Sequence, residues 1–459
     1  MENPGHFSVE INTYGDRGYA DRNARVEAIL SGEVLKGDFA MGLGIDRVLA
    51  SRSSEGFVFN SAGTRIPTTA SYSAYTCPTG ADDCLPGQFF STRIVQDAYE
   101  VSLGTWHADL FLETEQKFGD FTLRGGLRAD YNDVLDNFDV APRLTLAWDA
   151  SDALTFVAGA NRYYNGDYLT YAINDAVPRG TNQRRTANSA GVVGDWTTAS
   201  VLSNYSYTTG DLDTPYADEV TLAALWSDPW SGGDWRIKYL RRDGKDQFAE
   251  AAGGNTVTEN TLTNDGTSLY ESFGFEYTKN WEMPATSRMD RVGLYVSGIW
   301  ADRDVSNNSV FANADGEYFW YNGGSYSSQR FEAVTGNLDI PIRSTIELRG
   351  SWDQGKYELG LAADVAFGYT GAYDTGTTTT ATNADGFTGD HYVYEDKRFD
   401  TSVTFDLSAK ARLAEFSGNP LDLHVKVSNL LGDIGNRTAT YTNPWVSERS
   451  VWIGTTYTW

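Results

Sequence analysis

The feature that most restricts this chain is a strict alternation of apolar and polar residues carried over long runs. Phe399, Thr401, Val403, Phe405, Leu407, Ala409, Ala411 and Leu413 fall on one face of an extended strand, and Asp400, Ser402, Thr404, Asp406, Ser408, Lys410 and Arg412 on the other. Side chains two apart in a strand point the same way, so this pattern specifies a strand with one apolar face. It recurs at 357–369, where Tyr357, Leu359, Leu361, Ala363, Val365, Phe367 and Tyr369 oppose Glu358, Gly360, Ala362, Asp364, Ala366 and Gly368. Phe121, Leu123, Leu127 and Tyr131 oppose Thr122, Arg124, Arg128 and Asp130, and Leu421, Leu423, Val425 and Val427 oppose Asp422, His424, Lys426 and Ser428.

A soluble sandwich of two sheets alternates as well. Three features favour a membrane wall. The runs approach or exceed the ~9–11 residues that cross a bilayer at a tilt. Aromatic residues gather at strand ends, as at Tyr357, Tyr369 and Phe399. The opposite face carries full charges and small residues, which a wet lumen tolerates.

About sixteen strands are predicted, at 6–13, 23–32, 37–47, 104–117, 120–131, 141–149, 153–164, 217–227, 234–243, 268–280, 290–301, 343–352, 356–370, 399–412, 420–429 and 449–459. Connections at 33–36, 118–119, 150–152, 228–233, 281–289, 353–355 and 413–419 are short, and those at 48–103, 165–216, 244–267, 302–342, 371–398 and 430–448 are long. Short and long alternate, apart from modest loops at 14–22 and 132–140. Outer-membrane barrels have short periplasmic turns and long external loops, whereas a sandwich has no reason to segregate them. The expected fold is an all-β, antiparallel transmembrane β-barrel, or an arc of one, forming a single domain over 1–459. The run Thr377 to Thr380 and the Gly/Ser/Asn-rich stretches are expected to be mobile external loop.

Composition agrees with strands, turns and interfacial aromatic girdles: 46 Gly, 27 Tyr, 22 Phe and 13 Trp against 4 Met. No stretch approaches the ~18 apolar residues of a membrane helix. The net charge of −26 at pH 7 argues against a nucleic-acid partner, which would need a basic face. Cys77 and Cys84 flank a short loop; a disulfide there suits an oxidising compartment, and two thiols without a nearby His make a poor zinc site. The segment after Met1 has neither a basic nor an apolar leader region, so an exported protein with this sequence has either lost its signal or is a fragment.

No catalytic constellation emerges. His6, His107, His391 and His424 are scattered, and neither a nucleophile elbow nor a P-loop is present. The chain is therefore read as no enzyme, without cofactor or metal. Two patches are candidates for ligand contact. Tyr318, Phe319, Trp320 and Tyr321 lie in a long loop, where adjacent aromatics either stack on a sugar or siderophore or pack loop against loop. Asp315 and Glu317, or Asp82 and Asp83, either bind calcium through carboxylates or are solvated acids. Arg124, Arg128 and Arg143 are expected at the lumen or its ends, touching a plug or an anionic ligand, or pairing with Asp130 and nearby acids.

The final segment, Arg449 to Trp459, alternates and ends on an aromatic, with Val451, Ile453, Tyr457 and Trp459 on one face. It resembles the insertion signal of outer-membrane barrels. Before it, Val425-Lys426-Val427-Ser428-Asn429-Leu430-Leu431-Gly432 resembles the closing strand of TonB-dependent transporters. Gly125-Gly126-Leu127-Arg128-Ala129-Asp130-Tyr131 followed by Ala141-Pro142-Arg143-Leu144 is similar to a hairpin of that family, and Leu240-Arg241-Arg242-Asp243 has the same look. Together these motifs cover roughly 100–459. The resemblance implies the C-terminal part of a TonB-dependent outer-membrane barrel, with the plug and first barrel strands absent and Met1 several strands into the barrel. It implies a monomer in the bacterial outer membrane that takes up a scarce nutrient of siderophore-iron or oligosaccharide type. Its partners would be outer-membrane lipid, the barrel-assembly machinery, a small-molecule ligand, and TonB only through the missing plug. The alternatives are a plugless passive porin and a secreted soluble glycan-binding β-protein.

Overall fold

The structure, a computed structural model, describes residues 16–165, 169–201, 204–206, 212–250, 259–306, 318–327, 331, 334–335, 340–382, 388–433 and 448–458. A hairpin of β1 (Arg17–Val34) and β2 (Gly37–Ser54) leads into β3 (Phe57–Arg65), β4 (Cys84–Leu85) and β5 (Gln88–Gln96). Then come β6 (Tyr99–Phe118), β7 (Phe121–Asn132), β8 (Asn137–Ser151) and β9 (Leu154–Tyr164). The helix α1 (Leu169–Ala176) precedes β10 (Thr181–Arg184), β11 (Thr197–Val201) and β12 (Asn204–Ser206). Next are β13 (Tyr216–Ser227), β14 (Asp234–Glu250), β15 (Glu259–Glu282), β16 (Met289–Val305), β17 (Tyr318–Tyr321) and β18 (Gly324–Ser327). The chain ends through β19 (Ile342–Trp352), β20 (Tyr357–Ala366), β21 (Tyr369–Thr382), β22 (Thr388–Phe399), β23 (Ser402–Phe416), β24 (Asn419–Ser428) and β25 (Ser450–Tyr457).

Fifteen strands make one antiparallel sheet in the order β1-β2-β6-β7-β8-β9-β13-β14-β15-β16-β19-β20-β23-β24-β25, with β12 added parallel to one end of β15. Each wall strand pairs with the next wall strand along the chain, as short turns and returning loops dictate. The first predicted strand, 6–13, lies outside the described residues; the other fifteen all form. One prediction ran too far. The alternation of 356–370 continues past the wall, but β20 stops at Ala366 and Tyr369 opens a strand of another sheet. Between them Gly368 lies so close to the neighbouring backbone that a Cβ there would sit 2.9 Å from the Phe399 carbonyl oxygen.

Register explains why the alternation matters. Leu359 faces Ala409, Leu361 faces Leu407 and Val365 faces Val403, while Glu358 faces Lys410 and Asp364 faces Thr404. Like faces like across the sheet, so one surface is apolar and the other polar. A slip of one residue would exchange them. The apolar surface is the open one: Leu43, Leu110, Leu127, Leu144, Leu348 and Val451 are 50–60 % exposed. Soluble monomers seldom expose contiguous apolar patches beyond a few hundred Å², so this face is built for lipid.

The rims confirm its orientation. Beside the short turns the outer face carries a row of aromatics. Phe121 stacks on Trp148 at 6.0 Å, Trp148 on Phe156 at 5.8 Å, and Trp235 lies 4.6 Å from Tyr277. Phe416 and Tyr457 extend the row. From Phe121 to Tyr131, ten residue steps at ~3.4 Å and ~40° tilt span about 25 Å, the height of a barrel's apolar band.

At the opposite rim the long connections are themselves folded. β3, β4, β5, β10 and β11 form a five-stranded sheet joining segments 55–98 and 165–215. A second sheet, β18-β17-β22-β21, joins 306–341 to 367–401. The expectation that Thr377 to Thr380 are mobile loop is corrected here: they belong to β21, with Thr378 opposite Tyr392 and Thr379 opposite His391.

Candidate ligand rim and lumen

The first loop sheet surrounds a cavity of about 750 Å³ bordered by Asn60, Asp83, Arg93, Arg185 and Trp196. Its floor is fixed by covalent and ionic ties. Cys77 and Cys84 are joined by a disulfide, S–S 2.04 Å, and Cys84 packs with Tyr75, Phe89 and Val193 in a small core. Arg185, almost wholly buried, donates to the Phe90 carbonyl at 2.8 Å and pairs with Asp83 at 2.8 Å. Trp196 Nε1 donates to the other Asp83 oxygen at 3.1 Å. The guanidinium groups of Arg93 and Arg185 both lie over the Trp196 ring, 4.4 and 4.3 Å from its centre. Burial pulls Arg93 below its ordinary pKa; Asp83 opposes that shift and Arg185 reinforces it. Arg93 donates to Gln183 at 2.8 Å. This is an open hollow of mixed lining, in which Arg93, Arg185, Asp83 and the Trp196 ring stand beside Phe57, Val58 and Val95. The sequence marked only the cysteine pair and the acids Asp82 and Asp83 of this site, because Arg93 and Trp196 meet only through pairing of two distant loops.

The aromatic tetrad divides by strand parity. Phe319 and Tyr321 are buried among Phe331, Ala372 and Tyr394, with Phe319 stacked 4.9 Å from Phe331 and the Tyr321 hydroxyl donating to Asp396. Burial first, and then Asp396, raise the Tyr321 phenol to about 12. Tyr318 and Trp320 face the other way, onto the fully buried His391, at ring-centre distances of 5.3 and 6.5 Å. His391 Nδ1 meets the Gly389 carbonyl at 2.9 Å, so a neutral ring accepts at Nε2 from the Ser325 hydroxyl at 2.7 Å. Half of the tetrad is therefore core of the second loop sheet, and the other half is only partly exposed.

The arginines named from sequence lie on the polar face. Arg124 is 3.4 Å from Glu115 on the neighbouring strand. Arg128 pairs with Asp130 at 2.9 Å. Arg143 lies over the Tyr163 ring at 5.1 Å. Asp83 is committed to Arg185 and Trp196, and Asp315 and Glu317 fall outside the described residues. Val451, Ile453 and Tyr457 share the outer face of β25, opposite Val427, Val425 and Leu421; Trp459 lies outside the described residues.

No family model matches the chain. A curated relative, the uncharacterised protein YddB of Escherichia coli K12, is 28% identical over 181 residues, 38% of this chain and 21% of that protein. Among solved structures, the outer membrane transporter YddB of Escherichia coli superposes with a TM-score of 0.66 at 16% identity, over 95% of this chain and 54% of that one. A ferric enterobactin receptor (PfeA) of Pseudomonas aeruginosa, bound to enterobactin, gives 0.53 at 15%, over 96% and 54%. The FrpB iron transporter of Neisseria meningitidis gives 0.52 at 10%, over 94% and 62%. The chain thus has the barrel fold of TonB-dependent outer-membrane receptors and spans about half the length of these solved proteins.

Proposed function

We propose that this chain is the transmembrane wall and ligand-gathering rim of a TonB-dependent outer-membrane receptor that takes up a scarce small-molecule nutrient. The observation that carries the reading is a wall with an apolar outer band and a polar lumen, capped at one rim by two sheets built from long loops. A porin needs such a wall but has no need of a folded cup, whereas a receptor must hold its ligand before passage. A secreted soluble protein would have to expose the whole apolar band to water.

In this reading Arg93, Trp196 and the exposed edges of Tyr318 and Trp320 meet a siderophore or an oligosaccharide. Arg124, Arg128 and Arg143 line the passage or touch a plug carried by polypeptide outside this sequence, and TonB acts through that plug. The terminal strand at Val451, Ile453, Tyr457 and Trp459 is what the barrel-assembly machinery would read, delivering a monomer into outer-membrane lipid. The test is uptake by cells producing the protein, with panels of labelled ferric siderophores and oligosaccharides. Saturable, energy-dependent accumulation of one class, weakened at least tenfold in apparent affinity by Arg93→Ala, is expected. Unsaturable flux together with a stable open conductance in planar bilayers would favour the porin and defeat the receptor reading.

A further inference from the structure

The polar face of the wall near β1 holds three side chains, Asp46, His107 and Asp109, that the uptake reading does not use. His107 projects between two carboxylates: Nδ1 is 2.9 Å from Asp46 Oδ2 and Nε2 is 3.0 Å from Asp130 Oδ1. Asp109, two residues along on the same face, has a side chain only 1 % exposed, and its carboxylate, whose oxygens accept no well-directed hydrogen bond among the described residues, is met by the ion pairs of Arg25 and Arg128. Its Oδ1 lies 2.8 Å from Arg25 Nη2 and 3.9 Å from His107 Nδ1. One ligand atom from each of Asp46, His107 and Asp109 falls within 4.8 Å of the others. We propose that these three side chains form a binding site for one divalent transition-metal cation of the zinc, cobalt or nickel class.

Four arguments converge. Ligand atoms around a metal at ~2.1 Å stand about 3.0–3.4 Å apart, so Asp46 needs to open from His107 by a few tenths of an ångström and Asp109 to close on it by about 0.5–0.9 Å. The two carboxylates, within 4.8 Å of each other, must also draw together as Arg25 leaves the space between them. One imidazole with two carboxylates suits these cations, rather than thiolate-seeking Cu(I) or all-oxygen Ca²⁺. Asp130 already holds Nε2, the outer contact that fixes a ligating imidazole's tautomer, and a cation at Nδ1 would take the place of the hydrogen now shared with Asp46. Charge also fits. The carboxylates of Asp46, Asp109, Asp130 and Glu27 face the two guanidinium groups of Arg25 and Arg128 and the His107 ring, so acids outnumber bases in a half-buried cluster.

Arg25 occupies the ground between Asp46 and Asp109, at 3.0 and 2.8 Å. It also holds Glu27 at 3.0 Å, which gives it a partner when a cation displaces it. Gly44 opens this space, since a Cβ there would lie 2.4 Å from Arg25 Nη2 and 2.6 Å from Asp109 Oδ1. The site needs only the folded wall and is independent of what the rim binds.

The experiment titrates untagged, detergent-solubilised protein with Zn²⁺ by calorimetry and with Co²⁺ by visible absorption. One saturable site is expected. His107→Ala and Asp109→Asn should weaken it by about 100-fold or more and Asp130→Asn by roughly 10–100-fold, the cost of losing an outer contact. Arg25→Gln should tighten it by removing the resident cation. Heat-modifiable gel mobility checks the fold of each variant. If His107→Ala does not fold, X-ray absorption of the Zn²⁺-loaded wild type decides, with a single imidazole among oxygen ligands expected. No saturable binding, full affinity in folded His107→Ala and Asp109→Asn, or two imidazoles in the first shell would each overturn the site.

Discussion

Leu348 offers a direct test of which face of the wall meets lipid. It stands near the middle of β19, between Leu294 on β16 and Leu361 on β20, and is 52 % exposed. Were that face in water, Leu348→Arg would change stability by within about 0.5 kcal/mol, as surface substitutions do. Against lipid, an arginine near the midplane costs about 2–4 kcal/mol, which is roughly a 30- to 900-fold shift in the folding equilibrium. Ala362→Arg is the matched control. It lies on the next strand and on the opposite face, flanked by Glu347 and Asp406, so the same charge there meets two acids and should be neutral within about 0.5 kcal/mol. Urea titration in phosphatidylcholine vesicles, followed by tryptophan fluorescence, reads both. A Leu348→Arg protein as stable as the wild type, or an Ala362→Arg protein equally damaged, would refute the inside–outside assignment.

Three further outcomes concern the rim. Replacing both Cys77 and Cys84 by Ser opens an eight-residue ring and should loosen the first loop sheet by about 2.5 kcal/mol on chain entropy, seen as faster proteolysis within 55–98 while the wall stays resistant. Arg185→Met removes a buried cation and strands Asp83; a local loss of about 3–5 kcal/mol is expected, read as lost amide protection across Gln88–Gln96. The Tyr321 phenol titrates near 12 in the folded rim and near 10 when released. Its raised value means that its stabilisation is complete below pH 10 and is lost as pH rises towards 12. Spectrophotometric titration should show Tyr321→Phe missing one late-ionising tyrosine, with Tyr75, also raised to about 12, still present.

The wall was legible because its information is local. Every second residue between Phe399 and Leu413 reports which way it faces, and the register follows once apolar faces must match. The rim was not, because the pairings that join its loops span about seventy to ninety residues: Arg93 faces Gln183 across β5 and β10, and Phe319 faces Tyr392 across β17 and β22. Some of these strands are short, as β10, β17 and β18, and others are interrupted by bulges, as at Asn60 and between Asp374 and Thr378, so no period survives to be read. The Thr377–Thr380 run shows the same limit, since polar, β-branched residues suit a strand as well as a loop and only the partner at 388–399 decides. His107 and Asp109 share a face by spacing alone, but Asp46 reaches them through the register of β2 against β6.

The inner wall supplies a test that separates holding a ligand from passing it. Asn280, Gly293, Arg349, Gly360, Ser408, Lys426 and Trp452 stand in one row across seven strands. The small residues in that row leave a groove of about 730 Å³ bordered by Arg349, Lys410, His424 and Trp452. At Gly293 an added Cβ meets only the Asn280 side-chain oxygen at 3.0 Å and the Arg349 Cβ at 4.0 Å, so Gly293→Phe can direct its ring into the groove without moving backbone. Its neighbours Val292 and Leu294 keep the lipid face intact, and the rim is untouched. Insertion and ligand binding to whole cells should therefore stay at wild-type levels while accumulation inside the cell falls at least tenfold. That combination arises only if what occupies the lumen during uptake, whether plug or ligand, must fit this groove. Accumulation at the wild-type rate would mean that the groove has no part in passage, and that the polar face is a consequence of building a one-sided apolar wall rather than a working surface.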